Sequence, residues 1–176
     1  MATQMTMRPV DVPVALRLAE QPELSYEALH NDLGISTSTA FEAVARLGAA
    51  GIVYPHARKV NRRNLLEFLL HGAKYVFPVE IRGVVKGVPT AFAGPPLADK
   101  IVHSMPVVWP DPQGSAVGES VAPLYPGATR LPQSCPGVYE MLTLVDAVRL
   151  GRARERKLAE DELSRRLGQK VTGGDA

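Results

Sequence analysis

The spacing of helix stop signals constrains this chain most. Pro22, Gly34 and Gly51 divide its first fifty residues into three segments, each about the length of one short helix. A residue before proline avoids the α region, so the first helix ends at or before Gln21. Glycine supplies the positive φ on which helices commonly terminate, so the second and third end at Gly34 and Gly51. Behind each of the first two stops stands a good N-cap, Ser25 and then Ser36. The pattern predicts helices from Val10 to Ala19, with Pro13 in the first turn, from Tyr26 to Leu33, and from Thr37 to Ala49. In the third, Ala40, Ala43, Val44 and Leu47 recur at three- and four-residue spacing and form one buried face. Asn61 caps a fourth helix, Arg62 to Leu70, rich in leucine.

Beyond these helices the composition changes. Residues 76–136 hold 11 of the 15 prolines, yet also Phe77, Phe92, Trp109, Tyr125 and many valines. A disordered linker rarely spends aromatics this way, so the segment is expected to be ordered and irregular. Val107-Val108-Trp109 and the run from Ala116, joined across Pro110–Gly114, have the pattern of a β-hairpin with a longer loop. From Val138 to about Leu167 the pattern predicts one long helix, interrupted only by Gly151. The expected fold class is therefore mainly α with small β (α+β). Residues 1–75 form a helical N-terminal domain, residues 76–136 a Pro-rich segment, and residues 137–176 a basic C-terminal helix.

The most specific stretch runs from Ser25 to Val53. Its features are Leu29 and Leu33 on one helix, the Gly34-Ile35-Ser36 turn, Ser38-Thr39, the pair Arg46-Leu47, and the exit Ala50-Gly51-Ile52-Val53. It resembles the helix-turn-helix of winged-helix regulators of the MarR and ArsR type. That resemblance implies that Thr37–Ala49 enters the major groove of duplex DNA and that its N-terminal residues reach base edges. Ser36, Thr37 and Ser38 then offer hydroxyls to bases or phosphates. Phe41 either touches a thymine methyl or packs on a neighbouring segment, and Glu42 either accepts from cytosine N4 or stays solvated. Arg46 lies one turn beyond Glu42 and pairs with it or with DNA. A winged helix also needs two strands and a loop, which Ile52-Val53-Tyr54, Pro55-His56-Ala57 and Lys59-Val60 supply. Arg58, Lys59, Arg62 and Arg63 are the densest basic cluster nearby and are expected to contact phosphate, the alternative being a solvated charged edge.

Four further runs extend the likeness: Asn61–Pro78, Gly87–Ala98, Val108–Pro112 and Val145–Arg156. Together they resemble bacterial MarR-like proteins of similar length that occur beside nucleotidyltransferase-type toxin genes. The resemblance implies an autoregulator or antitoxin, with duplex DNA, a second copy of the chain and a cognate toxin as partners. The alternative is a protein-interaction module that uses the helix-turn-helix as scaffold.

Charge sharpens these expectations. Net charge is only +2, but residues 149–170 carry eight basic and four acidic side chains. On a continuous helix Arg149, Arg152 and Arg156 share a face. That face is either solvated and paired with its own glutamates, or holds phosphate, or holds an acidic partner. The apolar positions Val138, Met141, Leu142, Val145 and Val148 are either a dimer interface or a face packed on the N-terminal domain.

Enzyme chemistry finds little support. His30, His56, His71 and His103 lack partners at metal-ligand spacing apart from isolated pairs such as Asp99 and His103, and a metal site needs three or four ligands. No glycine loop has the lysine and helix entry of a phosphate cradle, and no nucleophile elbow occurs. Asp111 and Glu119 are loop carboxylates of the kind usually solvated. No cofactor is expected. Cys135 is alone, without a basic neighbour in sequence, and is expected to be inert. One thiol, no long apolar run and no apolar leader after Met1 make the cytoplasm the expected compartment.

Overall fold

The computed structural model describes residues 5–168. Helices α1 (Asp11–Glu20), α2 (Tyr26–Leu33) and α3 (Thr37–Ala49) stand where the stop signals place them, to within a residue. The local chemistry is the expected one. Gln21 is extended ahead of Pro22, Ser25 Oγ accepts from the Ala28 amide, and Ser36 Oγ accepts from the Thr39 amide. Gly34 and Gly51 hold φ of 67° and 72°. Strands β1 (Val53–Tyr54) and β2 (Lys59–Val60) follow as a small antiparallel hairpin, with Val53 opposite Val60. Asn61 caps α4 (Arg62–Glu67). The chain then runs through one π turn, Phe68–Gly72, into α5 (Ala73–Val76), so it stays helical beyond the Leu70 expected.

The Pro-rich segment departs from expectation. Strand β3 (Arg82–Thr90), not foreseen, pairs antiparallel with both β4 (Val107–Pro110) and β5 (Ala116–Ser120). β4 and β5 do not form the antiparallel hairpin anticipated. They meet in parallel at Val107–Glu119 and Val108–Ser120, which closes a three-stranded barrel. The closure needs glycine: a Cβ on Gly87 would lie 2.1 Å from the Trp109 carbonyl oxygen, and one on Gly114 would lie 2.1 Å from Gly87. Pro89 within β3 is what hides the strand from pattern reading, since proline argues against a central strand.

A second departure lies at Gly151. The single long helix is two, α7 (Pro136–Leu150) and α8 (Ala153–Gly168), preceded by the short α6 (Leu131–Ser134). Gly151 takes an extended ψ of 124°, and a Cβ there would lie 2.4 Å from the Ala147 carbonyl oxygen. α8 turns back and packs Ala159, Leu163 and Leu167, spaced by four, against α7 and α4. Helix α7 is buried nearly all round. Val138, Met141, Leu142, Val145 and Val148 all lie in the core of the same chain, so the face considered for dimerisation is already covered.

The architecture is mainly α with a small β component. Its buried apolar side chains form one cluster from Val12 to Leu167, drawn from all three sequence zones. At its centre Asp146 on α7 accepts from Thr90 Oγ1, Trp109 Nε1 and the Arg149 guanidinium, each at 2.7 Å. Arg149 also donates to the Phe77 carbonyl at 2.8 Å. This buried network joins α7 to β3, β4 and the end of α5, and its donors offset the cost of burying a carboxylate. Among the described residues no helix is long and apolar enough to cross a membrane.

Candidate nucleic-acid interface

Helix α3 presents the residues that the sequence singles out. Its inner face, Ala40, Ala43, Val44 and Leu47, is buried, which turns Thr37, Ser38, Phe41 and Glu42 outward. Ser36 Oγ lies 2.9 Å from Ser38 Oγ and 2.8 Å from Thr39 Oγ1, so the first turn carries a small hydroxyl cluster. Thr37 stands beside it with no side-chain hydrogen bond among the described residues. Phe41 packs on a neighbouring segment, one of the two arrangements considered for it. Its ring packs edge-on to Tyr26, with centroids 5.4 Å apart, yet the side chain remains 59% exposed.

The basic residues behave differently from one another. Arg46 is a correction: its guanidinium turns inward, donating to Asp11 from Nε at 2.9 Å and from a terminal nitrogen at 2.7 Å. The cause is Asp11, fully buried at the start of α1, which without Arg46 would be an unpaired charge in the core. Glu42 remains exposed, 3.5 Å from the same guanidinium. Arg58 is also engaged. At the hairpin tip it has φ of 45°, donates from Nε to the Leu24 carbonyl at 2.7 Å, and lies 5.3 Å from the centre of the Tyr26 ring. It therefore clamps the tip onto the loop before α2. Lys59 is exposed and sits 3.1 Å from Glu23.

Arg62 is a second correction. It donates to the Ala19 carbonyl and, at 3.4 Å, to those of Arg166 and Leu167. Its charge thus serves the C-terminal ends of α1 and α8, where carbonyls lack helical partners. Arg63 projects into solvent, with Glu67 at 3.8 Å. Arg149 is a third correction, since it is buried on Asp146 and unavailable to phosphate or partner. Nor does it share a helix face with Arg152 and Arg156, because α7 ends at Leu150. Arg152 is exposed in the turn, and Arg156 lies 3.7 Å from Glu160.

Three residues near α3 escaped sequence reading. Arg8 is exposed, and with Met5, Thr6 and Met7 it borders a cleft of about 620 Å³ whose far wall is Phe41, Glu42, Ala45 and Arg46. Tyr26 is the pivot between Phe41 and Arg58. Asp11 sets the orientation of Arg46 from 35 residues away. The aromatic pair has a faint signal, two rings in adjacent short helices, whereas the Asp11 contact has none.

Elsewhere, burial pushes the Cys135 thiol above its ordinary range, which disfavours thiolate. Asp111 caps its own turn by accepting from the Gln113 amide. Among the described residues no group of three or more His, Cys, Asp or Glu side chains is placed to hold a metal ion. The chain matches no family model, no curated protein and no solved structure.

Proposed function

We propose that the chain is a sequence-specific binder of duplex DNA that acts as a transcriptional repressor of its own operon, through a winged helix formed by α1–α3, β1 and β2. The observation that carries this reading is α3 itself. One side is locked in the core and capped at Ser36, and the other presents Thr37, Ser38, Phe41 and Glu42 to solvent. A hydroxyl-rich first turn followed by an aromatic suits base edges and thymine methyls. Among the described residues, Arg8, Lys59 and Arg63 are the exposed cations on and around these elements and supply the phosphate contacts.

A second reading, an interaction module, draws on the charge of the same region. Arg46, Arg58 and Arg62 are each committed to the protein's own carboxylate or carbonyls. A face so poor in free cations also suits a protein partner, including a toxin encoded beside it. Fluorescence anisotropy with the gene's own upstream duplex and a scrambled duplex separates the two. The DNA reading expects preference for the native sequence and affinity that falls with salt, with a slope of about −3 per protomer for three phosphate contacts. Equal, negligible binding to both duplexes at low salt would refute it and leave the interaction module.

A further inference from the structure

A cleft of about 470 Å³ opens where three distant stretches of chain meet: Pro9 ahead of α1, the run leading from α5 into β3, and residues 122–124 after β5. That size suits a small molecule. The walls are apolar, chiefly Phe77, Pro78, Pro123 and Leu124. Proline has a fixed φ, so Pro9, Pro78 and Pro123 leave the walls little freedom to lose when something binds.

Three charged side chains line this cleft: Glu80, Arg82 and Arg149. Glu80 and Arg82 lie 3.8 Å apart and both are largely exposed. Arg149 is deeper, with only 4% of its side chain exposed. Its Nε donates to the Phe77 carbonyl at 2.8 Å, and one terminal nitrogen donates to Asp146 at 2.7 Å. The other terminal nitrogen has no hydrogen-bond partner among the described residues. Among those residues the unpartnered side-chain nitrogens and oxygens sealed from solvent are His103 Nδ1 and Tyr125 Oη. The free nitrogen of Arg149 is therefore reached from outside, and the cleft that Arg149 lines is the way in. Charge decides what this donor can take. Asp146 already balances Arg149, and Glu80 balances Arg82. An anion buried here would stay uncompensated, which costs more than one hydrogen bond returns. A cation would meet the guanidinium. A neutral carbonyl accepts the N–H and adds no charge.

We infer that this cleft is a binding site for a small, neutral, apolar molecule bearing a carbonyl group, whose oxygen accepts from the free terminal nitrogen of Arg149. The inference is independent of the DNA reading, since no residue of α3 lines the cleft. It agrees with the place of Arg149 in the core. Held by Asp146, the residue has no charge to offer a phosphate or a protein, only an N–H for a molecule small enough to enter.

The test is titration of the full chain with acetophenone, ethylbenzene and benzoate, three probes of similar outline, followed by proton–nitrogen correlation NMR. Acetophenone should bind saturably and shift the Arg149 Nε–H signal together with the amides of Phe77 and Leu124. Ethylbenzene lacks the acceptor. Burying a carbonyl without a donor costs about tenfold in affinity, so on apolar walls alone ethylbenzene would be the tighter ligand. The inference expects acetophenone to bind at least as tightly as ethylbenzene, and benzoate to bind about tenfold more weakly than acetophenone. Ala122→Trp, at an exposed position bordering the cleft, should abolish acetophenone binding and leave the α3 signals in place. The ranking of the probes uses the wild type, so it stands even if that variant folds poorly. No saturable shift with acetophenone, tighter binding of ethylbenzene, or benzoate binding as tightly as acetophenone would each overturn the inference. Unchanged acetophenone binding by a folded Ala122→Trp protein would overturn it as well.

Discussion

Replacing Arg46 with alanine separates a structural cation from a DNA contact. Arg46 gives Asp11 three hydrogen bonds, at 3.1, 2.9 and 2.7 Å, and Asp11 is fully buried. In Arg46→Ala the carboxylate keeps only the Arg8 amide, at 2.8 Å. Removing one partner of a buried pair leaves an uncompensated charge and costs about 3–5 kcal/mol. For a chain of this size each kcal/mol moves the Tm by about 2–4 °C, so the expected fall is roughly 6–20 °C. The assay is urea and thermal unfolding of Arg46→Ala, Asp11→Ala and the double variant. The two positions act as one unit, so the double variant should be no worse than the worse single one, with a coupling of about 2 kcal/mol or more. The double change Asp11→Leu with Arg46→Met should regain most of the stability. An Arg46→Ala protein as stable as wild type but unable to bind DNA would refute the assignment and return Arg46 to the groove.

Three further outcomes follow from the same contacts. Thr37→Ala and Ser38→Ala should leave stability within about 0.5 kcal/mol and reduce discrimination between native and scrambled duplex, whereas Arg63→Ala should weaken both equally and flatten the salt slope by about 1; anisotropy titrations at several salt concentrations check both. Arg149→Ala should cost about 3–5 kcal/mol by stranding Asp146, while Arg152→Ala and Arg156→Ala should change stability by about 0.5 kcal/mol or less, measured by urea unfolding. Hydrogen bonds from Arg165 and Arg166 hold the Glu162 carboxyl down at about 2. Its folded-state pKa is below the unfolded value of about 4.3, so its stabilisation is complete above that pH and is lost as pH falls toward 2. Glu162→Gln should therefore reduce stability at neutral pH and make the acid side of the stability–pH curve shallower; parallel curves would refute this.

What the sequence determined by itself was local. Ser25, Ser36 and Asn61 cap helices through contacts with residues three positions on, and Gly34 and Gly51 end them by their own φ. Such effects need no knowledge of the rest of the chain, so α1 to α3 and the outward set Thr37, Ser38, Phe41 and Glu42 were legible in advance. Tertiary structure decided the rest, because it decided where each charge is satisfied. Arg46, Arg62 and Arg149 look like surface cations in sequence, yet each is held by a group distant in the chain: Asp11, the Ala19 carbonyl and the Phe77 carbonyl. β3 appears only when β4 and β5 close around Gly87, and α7 parts from α8 where Gly151 lets the chain fold back. A buried charge must find a partner wherever the fold brings one, and spacing along the chain carries no record of that meeting.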